Sequence, residues 1–263
     1  MNQNPIRLQK YLNQLGLYSR RQTEQWIKEG RITVNGNVAK LGQKVTPGED
    51  TVIVNGENVS METAPPRVYW LLNKPDQILT STVDSFNRPT IYDLPKLRKV
   101  PFKLDPVGRL DFRTEGLLLL TNDGYLLQKL THPSYQVPRI YQVLVTRHLK
   151  EDQVRQFRKG IQLEDGPSGP IDIDYMSGVS LGGSSGAWYL VTVKEGRNRF
   201  VRRLFESIDN KVIRLMRLGF GPIRLPDDLP PGEYRQLTSE QIQSLKDYVN
   251  IRPARKKNES RDS

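Results

Sequence analysis

The chain has 263 residues, carries 40 Lys and Arg against 29 Asp and Glu for a formal net charge of +11, and contains no cysteine. That length suits one or two domains with genuine cores, and the missing thiols exclude disulfides, iron-sulfur clusters, thiolate-zinc sites and cysteine nucleophiles. A basic excess of this size points to a polyanionic partner, most often nucleic acid, and says nothing of fold.

The first predicted element is a helix, because Leu8, Leu12 and Leu15 share one face and Gly16 can end it. No secretory signal is expected ahead of it, since Met1 to Lys10 lacks an apolar stretch. A second helix should start at Ser19, whose spacing to Gln22 is that of a capping box, and stop at Gly30. Alternating Ile32 and Val34 before Asn35-Gly36, and Thr51 to Val54 before Asn55-Gly56, predict two hairpins. Residues 1–60 therefore read as a small domain. Residues 61–67, with the pair Pro65-Pro66, read as a linker to a larger domain over 68–249.

Beyond the linker, the runs beginning at Val68, Gly116, Tyr141 and Trp188 predict strands, and Glu151 to Gly160 and Arg199 to Ile208 predict helices. The mixture implies an α+β fold. Gly182-Gly-Ser-Ser-Gly186 reads as a connection between strands, and residues 250–263 as a basic, disordered tail. No run approaches the roughly 18 apolar residues of a membrane span.

Several familiar signatures fail on context. Gly182 to Gly186 has the letters of a serine-hydrolase elbow, but that motif needs a helix after it and a strand-like run follows. Gly219-Phe-Gly221 lacks the rest of a dinucleotide fingerprint, and no phosphate loop of the Walker type occurs. His132 and His148 are the only histidines and do not form a ligand pair, so both are expected to be structural or surface residues and no metal site is expected.

Arg7, Lys10, Arg20 and Arg21 lie on or beside the two N-terminal helices, where cations facing phosphates would release counterions. Charge alone leaves open an ordinary solvated face. The order Arg-Leu-Gln-Lys-Tyr-Leu, Ser-Arg-Arg-Gln at 19 to 22 and Gly30-Arg-Ile-Thr-Val-Asn-Gly36 closely resembles the small RNA-binding domain shared by ribosomal proteins and RNA-modifying enzymes. That resemblance implies RNA contacts for these four residues.

In the second domain, Pro106-Val-Gly108-Arg109-Leu110-Asp111 precedes Thr114-Glu-Gly116 and four leucines. With Leu72-Asn-Lys-Pro75, Arg88-Pro-Thr90, His132-Pro133, Tyr141, Glu195-Gly-Arg-Asn-Arg199, Arg202-Arg203 and Pro231-Gly-Glu-Tyr-Arg235, it resembles the ribosomal pseudouridine synthases of the RsuA/RluB group. The strings Arg88 to Arg98 and Gln162 to Pro167 are closest to the large-subunit branch. The resemblance implies a mainly antiparallel sheet flanked by helices.

The implied reaction breaks the N1 glycosidic bond of uridine, turns the uracil and joins C5 to the ribose. It needs a carboxylate as nucleophile or base and no cofactor. By the resemblance, Asp111 is catalytic, Arg202 is its ion partner, Tyr141 stacks on the flipped base, and Arg109 fills the space left in the stem. Arg197, Arg199 and Arg203 are expected phosphate clamps. Phe200 departs from the polar residue usual in that string, and packing or stacking are both open to it.

The expected substrate is a uridine in large-subunit ribosomal RNA, with small-subunit RNA or a purely RNA-binding assembly role as alternatives. The expected partner is ribosomal RNA or an assembly intermediate, with no membrane involved; a cytoplasmic monomer is expected. The +11 is concentrated in Lys96 to Arg113 (net +4), Lys194 to Arg217 (net +5) and Asn250 to Ser263 (net +3), so two of the three clusters contain the proposed site.

Overall fold

The computed structural model describes residues 4–81, 84, 86–95, 97, 100, 104–182 and 185–251. Gly183, Ser184 and the tail from Arg252, together with Lys96, Arg98, Lys99 and Lys103 of the first basic cluster, lie outside the described residues. Contacts divide the chain into two compact units. The first holds the described residues of 4–69, 99–105 and 120–128, and the second those of 70–98, 106–119 and 129–251.

In the first unit, β1 (Ile6–Arg7) leads into α1 (Leu8–Gln14), and α2 (Arg20–Lys28) follows. The Ser19 hydroxyl accepts from the Gln22 N–H at 3.1 Å, which satisfies one orphan donor at the start of α2. The return bond expected of a full capping box is not among the hydrogen bonds of the described residues. Strands β2 (Ile32–Val34), β3 (Asn37–Val38), β4 (Lys44–Val45), β5 (Val52–Val54) and β6 (Glu57–Asn58) come next. The order β3-β2-β5-β6 makes a four-stranded sheet, and β1 pairs with β4. Both hairpins turn on the asparagines read from the sequence, with φ of 50° at Asn35 and 53° at Asn55. Leu8, Leu12, Leu15, Ile27, Ile32 and Val54 meet in one core.

The stretch read as a linker is held by hydrogen bonds. Arg67 donates to the carbonyls of Asn122 at 2.8 Å and Gln14 at 2.6 Å, and the Asn122 amide donates to Pro66 O at 2.9 Å.

The remaining elements are β7 (Tyr69–Lys74), β8 (Asp105–Pro106), β9 (Glu115–Thr121), α3 (Gly124–Thr131), β10 (Arg139–Val145), α4 (Glu151–Lys159), β11 (Gln162–Leu163) and β12 (Gly166–Pro167). Then come β13 (Asp172–Ser180), β14 (Ser185–Val193), α5 (Phe200–Glu206), β15 (Val212–Phe220), β16 (Ile223–Arg224), β17 (Tyr234–Gln236) and α6 (Ser239–Ile251). Helix α6 takes in Asn250 and Ile251, which the sequence reading gave to the tail.

One sheet of nine strands runs β13-β14-β10-β15-β9-β7-β17, with β8 on β9 and β16 on β15. It is mainly antiparallel, and β15 joins β9 in parallel. Leu117 to Leu120 are all buried, as a continuous apolar run in a central strand requires. Gly116 lies opposite Arg217 in the parallel pair at φ 97°, and an added Cβ would collide with the Arg217 carbonyl. Only glycine permits that approach. Strand β14 begins at Ser185, so no helix follows the glycine-serine stretch and the elbow reading is excluded.

Candidate active site

Asp111 sits at the end of a loop that is pinned on both sides. Gly108 has φ 77°, the Thr80 hydroxyl donates to Leu110 O at 3.0 Å, and Leu110 N–H returns a bond to that hydroxyl at 3.2 Å. A turn then closes with Thr114 N–H donating to Asp111 O at 3.0 Å. From behind, the fully buried Lys74 ammonium donates to Thr114 O and Pro75 O, each at 2.8 Å. Burial lowers the Lys74 pKa to about 8, although Asp76, Glu115 and Asp111 favour its charge. The backbone is thus held at Leu110, Asp111 and Thr114, while no hydrogen bond or ion pair among the described residues reaches the half-buried Asp111 carboxylate.

The carboxylate opens on a cleft of about 580 Å³. Arg109, Tyr141, Arg197 and Arg199 line it together with Asp111, so the structure brings five of the sequence-read residues to one cavity. Arg109 is exposed, and its guanidinium has no hydrogen bond or ion pair among the described residues. Arg199 is exposed too, pairs with Glu206 at 2.9 Å and caps α5 in a left-handed conformation at φ 48°.

Arg197 and Arg203 are engaged within the fold. Asp165, in the β11–β12 turn, bonds Arg197 at 2.9 Å and Arg203 at 2.8 Å, and these guanidinium groups hold its carboxyl below the usual range. Arg197 also donates to Gly166 O at 2.9 Å and Pro167 O at 3.1 Å, which fastens the hairpin to the approach of α5. Arg203 does not line the cleft.

Arg202 stands behind the cleft wall. It is 9% exposed and donates to Arg113 O at 2.7 Å and Val212 O at 3.1 Å. Burial lowers its pKa, Arg199 adds to that, and the charge of Asp111 opposes it. Its relation to Asp111 is therefore through space. The sequence-read ion pair is not a direct contact among the described residues, because those donors go to carbonyls. Phe200 is 5% exposed and contributes to the cleft wall, with the Arg197 guanidinium 4.8 Å from its ring centre. Val201 lines the cleft as well.

Sequence reasoning passed over three of the cleft's side chains. His132, read as structural or surface, is on the wall, with Nδ1 2.7 Å from the Ser134 hydroxyl. Arg139 and Arg217 line the cleft together with Tyr141. Tyr141 on β10 is the direct cross-strand partner of Arg217 on β15, so both side chains emerge on one face. Arg217 is 2% exposed, its Nε donates to Leu117 O at 2.8 Å, and its Nη2 has no partner among the described residues. Burial lowers its pKa, and the Tyr141 hydroxyl pulls the other way. Leaving such a donor unpaired costs about 1–3 kcal/mol. The only signal for Arg217 in the sequence was its place in the Lys194 to Arg217 cluster, and Arg139 had none.

Arg7, Arg20 and Arg21 are exposed in the first unit and Lys10 is half-buried; none makes a side-chain hydrogen bond or ion pair among the described residues. Among the described residues there is no cluster of potential metal ligands and no helix long and apolar enough to cross a membrane.

A loop carboxylate, a buried tyrosine and several arginines in one cleft suit chemistry on an RNA base. Residues 68–207 match the RNA pseudouridylate synthase family, and residues 6–51 match the S4 domain. The chain belongs to the RNA pseudouridylate synthase family. It is 43% identical over 250 residues to Ribosomal large subunit pseudouridine synthase B of Pseudomonas aeruginosa, covering 94% of this chain and 63% of that one. Against the protein of the same name from Escherichia coli K12 the identity is 40% over 252 residues, covering 94% and 84%. A solved pseudouridylate synthase superposes with a TM-score of 0.63 at 30% identity, covering 91% of this chain and 99% of that one. Asp111, Tyr141 and Arg202 fall inside the span matched to the RNA pseudouridylate synthase family, and Arg217 lies beyond its end.

Proposed function

We propose that this pseudouridine synthase isomerises a uridine of large-subunit ribosomal RNA in the cytoplasm, acting on the RNA or on an assembly intermediate as a monomer. The large-subunit assignment rests on the names of the relatives and on the Arg88 to Arg98 and Gln162 to Pro167 strings. Residues 1–60 serve as the RNA-binding domain through Arg7, Lys10, Arg20 and Arg21. Residues 68–249 serve as the catalytic domain.

The observation that carries the reading is the Asp111 carboxylate, fixed by its backbone and without a hydrogen bond or ion pair among the described residues, within an arginine-lined cleft. Asp111 acts as the nucleophile or base. The N1–C1′ bond breaks, the detached uracil turns, and a C5–C1′ bond forms. C5 loses its hydrogen to solvent and N1 ends with one, so atoms balance without an oxidant or a second substrate. The reacting atoms are inaccessible in a paired stem, so the nucleotide must leave the stack. Arg109 is exposed and has no hydrogen bond or ion pair among the described residues, which suits it to fill the vacated space. Tyr141 provides an aromatic surface for the base. Arg202 supports the Asp111 loop through its bond to Arg113 O, Arg199 presents positive charge to the phosphates, and Arg197 and Arg203 add to the basic field while holding Asp165. No cofactor or metal is required by this scheme.

The test is tritium release from ribosomal RNA labelled at uridine C5. Wild type should release tritium from large-subunit RNA, and Asp111→Asn should release none. Release from small-subunit RNA alone would move the substrate. No release from either RNA would leave a protein that only binds.

A further inference from the structure

We infer that Arg217 is a positioning residue of this cleft, which holds Tyr141 from beneath and offers Nη2 to an acceptor oxygen of the bound nucleotide. The inference rests on the reading of the cleft as a nucleotide site.

Three observations converge on it. The first is register: Tyr141 and Arg217 are directly opposed on β10 and β15, with an irregularity of pairing between Ile140 and Tyr141. Opposed residues share a face, so the guanidinium and the phenol ring are neighbours by construction. The second is rigidity. Gly116 packs its Cα against the Arg217 backbone, Nε is spent on Leu117 O at 2.8 Å, and the Phe220 ring centre lies 5.3 Å from the guanidinium. A side chain fixed at backbone, Nε and face has little freedom left, so its remaining donors point where the fold dictates.

The third is Nη2, which has no partner among the described residues although a hydrogen bond to Tyr141 favours the charge of the guanidinium. Folded proteins pair nearly all buried donors, and an exception calls for a reason. Arg217 lines the cleft, so the natural acceptor is whatever occupies that space. Arg139 lines the same cleft, with its guanidinium 5.5 Å from the Phe220 ring centre, and the two cations disfavour each other. An electronegative oxygen placed near them offsets that repulsion. Two oxygens of a nucleotide fit: a uracil carbonyl, or a backbone phosphate.

Arginine suits this double task because its planar fork carries several donors at fixed angles. Lysine in its place keeps a charge but lacks the guanidinium's width and fixed donor angles, so it serves Leu117 O and a ligand together less well. Methionine keeps most of the volume and removes every donor.

The experiment compares wild type, Arg217→Met, Arg217→Lys, Tyr141→Phe and the Tyr141→Phe, Arg217→Met double variant. Single-turnover tritium release from C5-labelled large-subunit RNA is measured at saturating enzyme, with thermal unfolding as the folding control. Arg217→Met should slow release roughly ten- to a hundredfold while the affinity for RNA changes little. Arg217→Lys should recover part of the rate. The double variant should be no slower than about the worse single variant, as expected for two groups acting as one unit.

The source of the oxygen is read on stem-loops carrying the mapped uridine. A neutral methylphosphonate beside it should erase the Arg217→Met penalty if the acceptor is phosphate, and a 2-thio or 4-thio base should erase it if the acceptor is a carbonyl. A full penalty on all of these RNAs would overturn the contact through Nη2. A folded Arg217→Met protein with the wild-type rate would overturn the inference altogether. Should Arg217→Met not fold, Arg217→Lys combined with Tyr141→Phe carries the same cycle, and simple additivity there overturns the coupling. Absence of tritium release by wild type would instead defeat the proposed function, which keeps the two failures apart.

Discussion

The Lys74 ammonium donates at 2.8 Å to the carbonyl of Thr114, three residues past Asp111, from a position with no solvent exposure. Burial brings its pKa from 10.5 to about 8. In the unfolded chain Lys74 keeps its proton up to pH 10.5, and in the folded one it gives it up near pH 8. The charged form therefore weakens the fold below pH 8, and that penalty fades as pH rises to 10.5. Relative to Lys74→Met, wild type should gain up to about 3 kcal/mol over this window. Urea unfolding at stepped pH values measures the difference, and a flat difference would contradict it.

Gly116→Ala should destabilise the protein by about 2–4 kcal/mol, since the left-handed φ and the collision with Arg217 O act together. Because the displaced backbone is that of Arg217, tritium release should fall in the residual folded protein as well. Chemical denaturation with parallel activity assays reports both, and a variant as stable as wild type would show that the parallel pair can spread at little cost.

Arg109 and Arg197 should separate cleanly in a salt titration of RNA binding. Arg109 is unpaired among the described residues, so Arg109→Ala should flatten the slope of log affinity on log salt by about 0.7–0.9. Arg197 already faces Asp165 and Glu195, so Arg197→Ala should change the slope less. It should instead loosen the β11–β12 hairpin and cost about 1–3 kcal/mol of stability. Equal slope changes for both would assign Arg197 to the phosphates after all.

Arg202→Met removes donors from Arg113 O and Val212 O and should cost about 3–5 kcal/mol, with Arg202→Lys intermediate. The readout that goes beyond stability is the pH profile of single-turnover release. Release by the folded Arg202→Met protein should fall across the whole profile, and a folded variant with the wild-type rate would remove Arg202 from the site.

Much of the architecture was legible in the residues. Leu117 to Leu120 announced a central strand because a strand covered on both faces has no polar alternation to hide it. Ser19, Asn35 and Asn55 marked a cap and two turns by chemistry that acts within a few positions. Strand β15 escaped because Arg214 and Arg217 break its apolar pattern, and an arginine in a strand reads as solvated until burial is known. The partners of Arg197 and Arg203 escaped for a different reason. Asp165 lies 32 and 38 residues away, and no local rule links them. Asp111, Tyr141 and Arg202 stood out through ordered motifs, whereas Lys74 was noted only as part of a string, its burial being a property of the assembled fold.

The parallel pairing of β9 with β15 also imposes an order of events. Arg214 reaches back 99 residues to Glu115 and Arg217 reaches back 100 to Leu117. During synthesis the Asp111 loop emerges long before the strand that floors its cleft, and such distant closures are slow to form. A nascent chain halted before Val212 carries the Asp111 carboxylate without a completed cleft around it. Competence for chemistry is therefore a late acquisition of the growing polypeptide.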